Sequence, residues 1–204
     1  MSSLKDTYSE RREGFLQKLA ERLEIHLEEC LASNTRIDRI CARAKSVDRF
    51  LQKALKQENG KPKYSDPLDQ IYDQIGARIV TFYASDVPVI AGEVKRYFHA
   101  VESQVLVPES ENEFGYVGQH FILLLPTDVT AGIADKDEGG RFFELQVKTL
   151  FQHAWAEAEH DLGYKPEVPL TLLQKRKIAF TAAQAWGADQ IFDELFREIQ
   201  THKP

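Results

Sequence analysis

The sequence predicts an α/β (α+β) domain, a mixed β-sheet flanked by helices, with helical extensions at both ends. Three observations carry that prediction. Long stretches with apolar residues at helical spacing stand at both ends of the chain, four short β-branched and aromatic runs lie between them, and the connections between those runs are helical early and loop-like later. At 204 residues, 43% hydrophobic and 28% charged, the chain is long enough for one substantial core.

The elements follow in order. From Leu4 to Ala32, Phe15, Leu19, Leu23, Leu27 and Leu31 recur on one stripe, which predicts a long amphipathic helix. A second helix is predicted from about Val47 to Lys56. "QENGKPKYSDP" is a loop by its Gly and Pro content, and Asp66 before Pro67, with Asp69 behind, marks the start of a short helix ending near Gly76. "ARIVTFY" has strand composition, and "SDVPVIAGEVKRYFHA" predicts a helix beginning at Asp86. Three more strands are expected at Val101 to Val107, in "QHFILLLP" and in "RFFELQV". Thr149 and Gln152 form a capping-box pattern that starts a helix at the end of the last strand, and Gly163 stops it. Leu170 to Ile199 returns to helix. No repeat or long linker divides the chain, so the expectation is one domain over 1–204: a helical extension to about 40, a core over about 41–165, and C-terminal helices over about 166–204.

Composition narrows the partners. A net charge of -6 argues against broad binding to nucleic acid, which depends on neutralising phosphates. Positive charge is concentrated upstream of Pro67, in "TRIDRICARAKSVDRFLQKALK", which suits a small polyphosphate. No apolar run approaches the roughly 20 residues of a membrane helix, and the N-terminus lacks the apolar centre of a signal peptide. Cys30 and Cys41 are too few for a disulfide framework and lack metal-ligand spacing, so a cytoplasmic location is expected.

Four stretches carry chemistry. In "RFFELQV" alternation sends Phe143, Leu145 and Val147 to a core face and Phe142, Glu144, Gln146 and Lys148 to the other. The following helix has an apolar stripe (Phe151, Ala154, Trp155, Ala158, Leu162) and a polar side with His153, Glu157 and His160, whose type leaves a solvated face, a zinc site or a nucleotide pocket open. "DQIYDQIGARIV" places Asp69 and Asp73 four apart on a helix. Magnesium takes one or two carboxylates plus substrate phosphates, and Asp73 with Glu144 is the candidate pair. "RAKSVDRFLQK" puts Arg43, Lys45, Ser46 and Lys53 in a loop leading into a helix, an arrangement that suits phosphate. "EFGYVGQHFILLLP" sets Tyr116 between glycines, as a stacking face for a base.

In this order the four stretches resemble the synthetase domain of the RelA/SpoT family, and most of all its single-domain small alarmone synthetases. The likeness runs from about Arg43 to Lys165, some three-fifths of the chain. "RAKSVDRFLQK" is similar to the family's R-x-K-S segment and "YDQIGARIV" to its D-x-x-G-x-R. "GYVGQH" is similar to its G-Y-x-S-x-H loop, and "FELQVKTLFQHAWAEAEHDLGYK" to E-I-Q-I-R-T followed by W-A-x-x-E-H-x-x-x-Y-K. The resemblance implies a nucleotidyltransferase-like fold and transfer of the β,γ-pyrophosphate of ATP to the 3'-hydroxyl of GDP or GTP, with AMP released and the alarmones ppGpp and pppGpp as products. It implies that Arg43 and Arg78 sandwich the adenine and that Lys45, Ser46 and Lys53 hold the ATP phosphates. Asp73 would ligate Mg2+, and Glu144 would stand between metal and acceptor as base, positioner or second ligand. Tyr116 would stack on the acceptor base, with His120, Gln146, Lys148 and His153 nearby.

Departures from the family pattern fall on the acceptor side. Gly118 stands where a serine is expected, no lysine precedes Gly115 within "ESENEF", Lys148 replaces an arginine, and His153 replaces a short polar residue. ATP is therefore the firmer expectation and the guanosine acceptor the weaker one. The alternatives are pyrophosphorylation of tRNA 3' ends by a toxin, synthesis of adenosine alarmones, and a non-catalytic nucleotide-binding regulator. The resemblance also implies synthesis without a hydrolase domain, and a homo-oligomer, a tetramer in small relatives, joined through the terminal helices.

Overall fold

The computed structural model describes residues 3–105, 118–133, 138–163 and 169–201. At the N-terminus, α1 (Leu4–Arg11) is closed by a capping box: Ser3 Oγ accepts from the Asp6 amide, and Asp6 accepts from the Ser3 amide. A π-helical turn, Arg12–Leu16, joins it to α2 (Gln17–Leu31). Leu19, Leu23, Leu27 and Leu31 are buried as their spacing predicts, but Leu16 rather than Phe15 takes the fully buried place above them. The widened turn rotates the stripe by about one residue.

The first strand, β1 (Ile37–Ala44), lies where the helical extension and a basic loop were expected, so Arg43 belongs to an edge strand and not to a loop. Ser46 then caps α3 (Val47–Ala54), accepting from the Arg49 amide at 3.4 Å. The glycine-rich loop holds a small hairpin of β2 (Gln57–Glu58) and β3 (Lys61–Pro62), turned by Asn59 and Gly60 at φ of 53° and 75°. Next comes α4 (Pro67–Gln70), and here the expected helix through Asp73 breaks. Ile71 is extended (φ -92°, ψ 98°) and buries its side chain in the core, and Tyr72–Gln74 form a separate 3-10 turn. Asp69 and Asp73 therefore do not share a helix. Buried Gln74 stabilises the break, its amide donating to the carbonyls of Leu68 (2.6 Å) and Ile71 (3.0 Å).

The remaining elements are β4 (Ile75–Thr81), α5 (Asp86–Tyr97), β5 (Ala100–Val105), β6 (Gln119–Leu124), α6 (Thr127–Thr130), a 3-10 turn at Glu138–Arg141, β7 (Phe142–Thr149), α7 (Leu150–Gly163) and α8 (Leu172–Thr201). The main sheet has the order β1-β4-β7-β6-β5 and is antiparallel except for the β4–β7 pair. Ile75, Ala77 and Ile79 of β4, Phe121 and Leu123 of β6, and Phe143, Leu145 and Val147 of β7 form one buried layer with α2 and α5. The opposite face is polar and, among the described residues, is covered by α7 only at one end.

α8 is held to this end of the sheet by polar anchors. Thr149 Oγ1 donates to the buried Asp189 at 2.5 Å, the Ser85 amide donates to Asp193 at 2.9 Å, and Phe196 stacks on Tyr83 with Arg36 over its ring. On α7 the predicted apolar stripe is only partly realised. Phe151 stacks on Phe192 and Trp155 donates to Thr181 of α8, whereas Ala154, Ala158 and Leu162 are exposed, because α7 leans on α8 and not on a closed core. No described helix is long and apolar enough to cross a membrane.

Candidate nucleotide site

Strand register builds the site. Residues directly opposite each other point to the same side of a sheet. One row across the open face is therefore Cys41, Arg78, Gln146, His120 and Gln104, and the next is Arg43, Gly76, Glu144, Ile122 and Glu102. Arg43, Arg78, Glu144, Gln146 and His120 thus share one surface, with Lys148 two residues further along β7. Gly76 keeps its floor clear: a Cβ built there meets nothing within 4 Å, so the space between Arg43 and Glu144 is open.

At one end of the second row, Lys45 and Lys53 converge on Asp73. The two Nζ atoms lie 2.6 and 2.8 Å from Asp73 Oδ2. Lys45 is held from two sides, its amide donating to the Gln74 carbonyl (2.8 Å) and its own carbonyl accepting from Tyr8 Oη (3.0 Å). Tyr8 is fully buried and its ring stacks on Phe50 of α3 at 3.7 Å, so the N-terminal helix pins the segment that carries Lys45 and Ser46. Burial works against the Asp73 charge, but the two ammonium groups outweigh it and hold the carboxyl below the usual range. Its second oxygen, Oδ1, is buried and has no hydrogen-bond partner among the described residues.

Glu144 is the second carboxylate. Its Oε1 lies 3.1 Å from His120 Nδ1, which donates to it. Burial again opposes ionisation, and the contact with His120 overrides both that cost and the repulsion of Asp73, so this carboxyl also sits below its ordinary range. Electrostatic coupling between Asp73 and Glu144 places them in one field. Beside them His120 Nε2 and Gln146 Oε1 are buried polar atoms without partners among the described residues. Lys148 is 4% exposed and makes no ion pair among the described residues; burial, and then the Arg78 charge, push its amine down to about 8. A buried lysine in that condition is a ready site for an anion.

The capping box that starts α7 is present in both directions, at 2.9 and 3.0 Å between Thr149 and Gln152. His153 and Glu157 turn onto Arg78, while His160 lies 3.4 Å from Arg49, so these three do not gather as a zinc site. His153, expected near the acceptor, thus hydrogen-bonds the arginine expected at the adenine. Ser46 stands at the head of α3, and Arg43 is exposed at the sheet edge. Gly118 is unable to carry a side chain in this geometry, since a Cβ would stand 2.2 Å from the Val147 carbonyl oxygen and 2.6 Å from Lys148 Cγ. Tyr116 and Gly115 lie outside the described residues. Sequence reasoning missed the hold of Tyr8 on Lys45, for which no local pattern exists. It also missed the bond from Glu157 to Arg78, whose only trace was the shared helix side of His153 and Glu157.

Residues 42–168 match the family described as "Region found in RelA / SpoT proteins". The chain belongs to the RelA/SpoT family. The matched span opens at the end of β1 and closes just beyond α7, so it takes in every candidate residue from Arg43 to Glu157. The GTP pyrophosphokinase YjbM of Bacillus subtilis (strain 168) is 26% identical over 169 residues, covering 80% of this chain and 74% of that protein. The crystal structure of the Bacillus subtilis small alarmone synthetase 1 bound to its product pppGpp superposes with a TM-score of 0.77 at 21% identity, covering 96% of this chain and 99% of that one. The same synthetase bound to AMPCPP gives a TM-score of 0.70 at 21% identity, over 94% and 99%. The RelA/SpoT region and the surrounding helices of this chain therefore share one overall fold with a small alarmone synthetase.

Proposed function

We propose that this chain is a small alarmone synthetase that transfers pyrophosphate from ATP to the 3'-hydroxyl of GDP or GTP. The observation that carries this reading is the convergence of Lys45, Lys53 and Asp73 beside Glu144 on an open, polar sheet face. Relatives named GTP pyrophosphokinase, and a relative of the same fold bound to AMPCPP in one structure and to pppGpp in another, support it.

In this reading the adenine lies between Arg43 and Arg78, over the clear floor of Gly76. Lys45, Lys53 and the capped start of α3 at Ser46 hold the triphosphate. The site fits a magnesium ion: Asp73 Oδ1 is a buried carboxylate oxygen with no partner among the described residues, Glu144 is the second hard oxygen donor, and one or two carboxylates are what Mg2+ takes beside substrate phosphates. When bound, the ion neutralises charge spreading over the transferred group. The acceptor 3'-oxygen forms a bond to the β-phosphorus, the bond from that phosphorus to the α-phosphate oxygen breaks, and AMP leaves with the electron pair. Glu144 takes the hydroxyl proton, with His120 steadying its other oxygen. Gln146, Lys148 and Tyr116 contact the acceptor.

Incubation with labelled ATP, Mg2+ and, separately, GDP, GTP, ADP and total tRNA tests the proposal. Label on the guanosine nucleotides is the expected result. Label on ADP or on tRNA instead would assign the acceptor to the adenosine or the toxin alternative, and label on none would leave a nucleotide-binding regulator. Leu172, Leu173, Phe180, Ile191 and Ile199 are exposed along α8, which supports self-association through that helix, and light scattering reads it. Cys30 and Cys41 are both free thiols, as suits a cytoplasmic protein.

Lys148 makes acceptor binding depend on pH. Its folded value of about 8 is below the unfolded one, so the cost of burying its charge is present below pH 8 and is relieved as pH rises toward the unfolded value. An anionic acceptor needs the charged form. The KM for GDP or GTP is therefore expected to rise above pH 8, by up to about tenfold per pH unit. Lys148→Arg, which stays charged, is expected to flatten that rise in steady-state kinetics.

A further inference from the structure

We propose that Glu157 and His153 are positioning residues that lock the guanidinium plane of Arg78, making it the rigid wall of the donor-base slot. The inference rests on the donor reading of Arg78 and adds two residues that carry no assigned role in it. Arg78 Nη1 donates to Glu157 Oε1 at 2.5 Å, and His153 Nδ1 accepts from the same nitrogen at 2.8 Å. Both partners come from one face of α7, four residues apart, and reach a strand residue more than seventy positions away in sequence.

The geometry of a guanidinium gives these bonds their meaning. Its N–H groups donate in the plane of the group, while a flat ring stacks on its faces. Glu157 and His153 therefore fix the tilt of the plane through contacts that lie in it. The helix that supplies them is itself fixed, because its capping residue Thr149 is tied to Asp189 of α8. Arg43, across the slot, is exposed and makes no ion pair among the described residues. One wall is thus set before the nucleotide arrives and the other adjusts to it, which lowers the ordering cost of binding.

His153 adds a condition on its proton. Nδ1 accepts from Arg78 only while it is unprotonated. Arg78 from β4, Lys148 from β7 and Arg39 from β1 surround the ring, with Glu157 of its own helix as the opposing charge. Burial first, then these cations, hold His153 below the usual imidazole range, so the lock is engaged at neutral pH and fails in acid.

Steady-state kinetics and titration with a non-hydrolysable ATP analogue test this on the full chain. Glu157→Ala and His153→Ala are expected to raise KM and Kd on the ATP side about three- to tenfold, with kcat within about twofold and the acceptor KM unchanged. The wild type is expected to show a rise in ATP KM in acid, and His153→Asn, whose amide oxygen accepts without titrating, is expected to keep ATP affinity and to lose that rise. Thermal melting confirms that each variant is folded, and Glu157→Leu, which keeps the bulk but has no acceptor oxygen, serves if Glu157→Ala does not fold. If Arg78→Ala weakens the analogue while Glu157→Ala and His153→Ala do not, the lock is wrong and the donor reading stands. A loss confined to the acceptor KM likewise overturns the lock and returns His153 to the acceptor. If Arg78→Ala leaves analogue affinity unchanged, the donor reading of Arg78 falls and the lock falls with it.

Discussion

Glu144→Gln is expected to remove pyrophosphate transfer while leaving the protein folded. The carboxylate sits in the middle strand of the sheet, one row from Arg78, with one oxygen on His120. Glutamine keeps the shape and the amide oxygen still accepts from His120, so packing is preserved. What disappears is the negative charge that the contact with His120 sustains against burial. Without it the acceptor proton has no base and a divalent ion loses one of two hard ligands. Loss of proton transfer alone is worth about two to four orders of magnitude, and loss of electrostatic stabilisation adds to it. A fall in kcat of at least about a thousandfold is expected, with a melting temperature within a few degrees of wild type. Turnover within tenfold of wild type would remove Glu144 from the chemistry.

The second large effect is that of Asp73→Asn, and it separates binding from turnover. In the free protein Asp73 occupies the ammonium groups of both Lys45 and Lys53. An asparagine leaves two poorly exposed cations without a counter-charge, which costs about 1–3 kcal/mol of stability. The same change frees both lysines for phosphate. Asp73→Asn is expected to bind metal-free ATP at least as tightly as wild type, by calorimetry, and to lose Mg2+-dependent turnover by about a thousandfold or more. Weaker binding of metal-free ATP would show that Asp73 does not compete with phosphate for the lysines. The pH dependence has a definite sign. The Asp73 carboxyl is held low in the folded state, so its contribution to stability is present above the unfolded carboxylate range and is lost as pH falls through the folded value. The stability gap between wild type and Asp73→Asn should therefore close in acid.

How much of this was legible depended on the distance over which each contact acts. The burial of Leu19 to Leu31 and the split of β7 into a core face and a polar face follow from periodicity within a single element, and both are found as their spacing predicts. The capping box at Thr149 is equally local. Strand β1 was not legible, although Ile40, Ala42 and Ala44 do turn inward, because small alanines mixed with arginines lack strand composition and only pairing with β4 makes the segment extended. The helix through Asp69 and Asp73 looked continuous because nothing local announces that Ile71 leaves it for the core. That break brings Asp73 to the lysines.

The sequence by itself determined the fold class, the helices at both ends, strands β4 to β7 in their order, the polar strand face bearing Glu144, Gln146 and Lys148, and the family to which they belong. Only the tertiary structure decided which charges meet. Lys45 and Lys53 close on Asp73 from 28 and 20 positions away in sequence, Tyr8 fastens the Lys45 segment from 37, and His153 and Glu157 reach Arg78 from 75 and 79. Backbone periodicity is set within a few residues and is written in the local pattern. Ion pairs form only after strand register and helix packing have brought distant side chains to within a few ångströms, where the Coulomb energy becomes large enough to choose between partners.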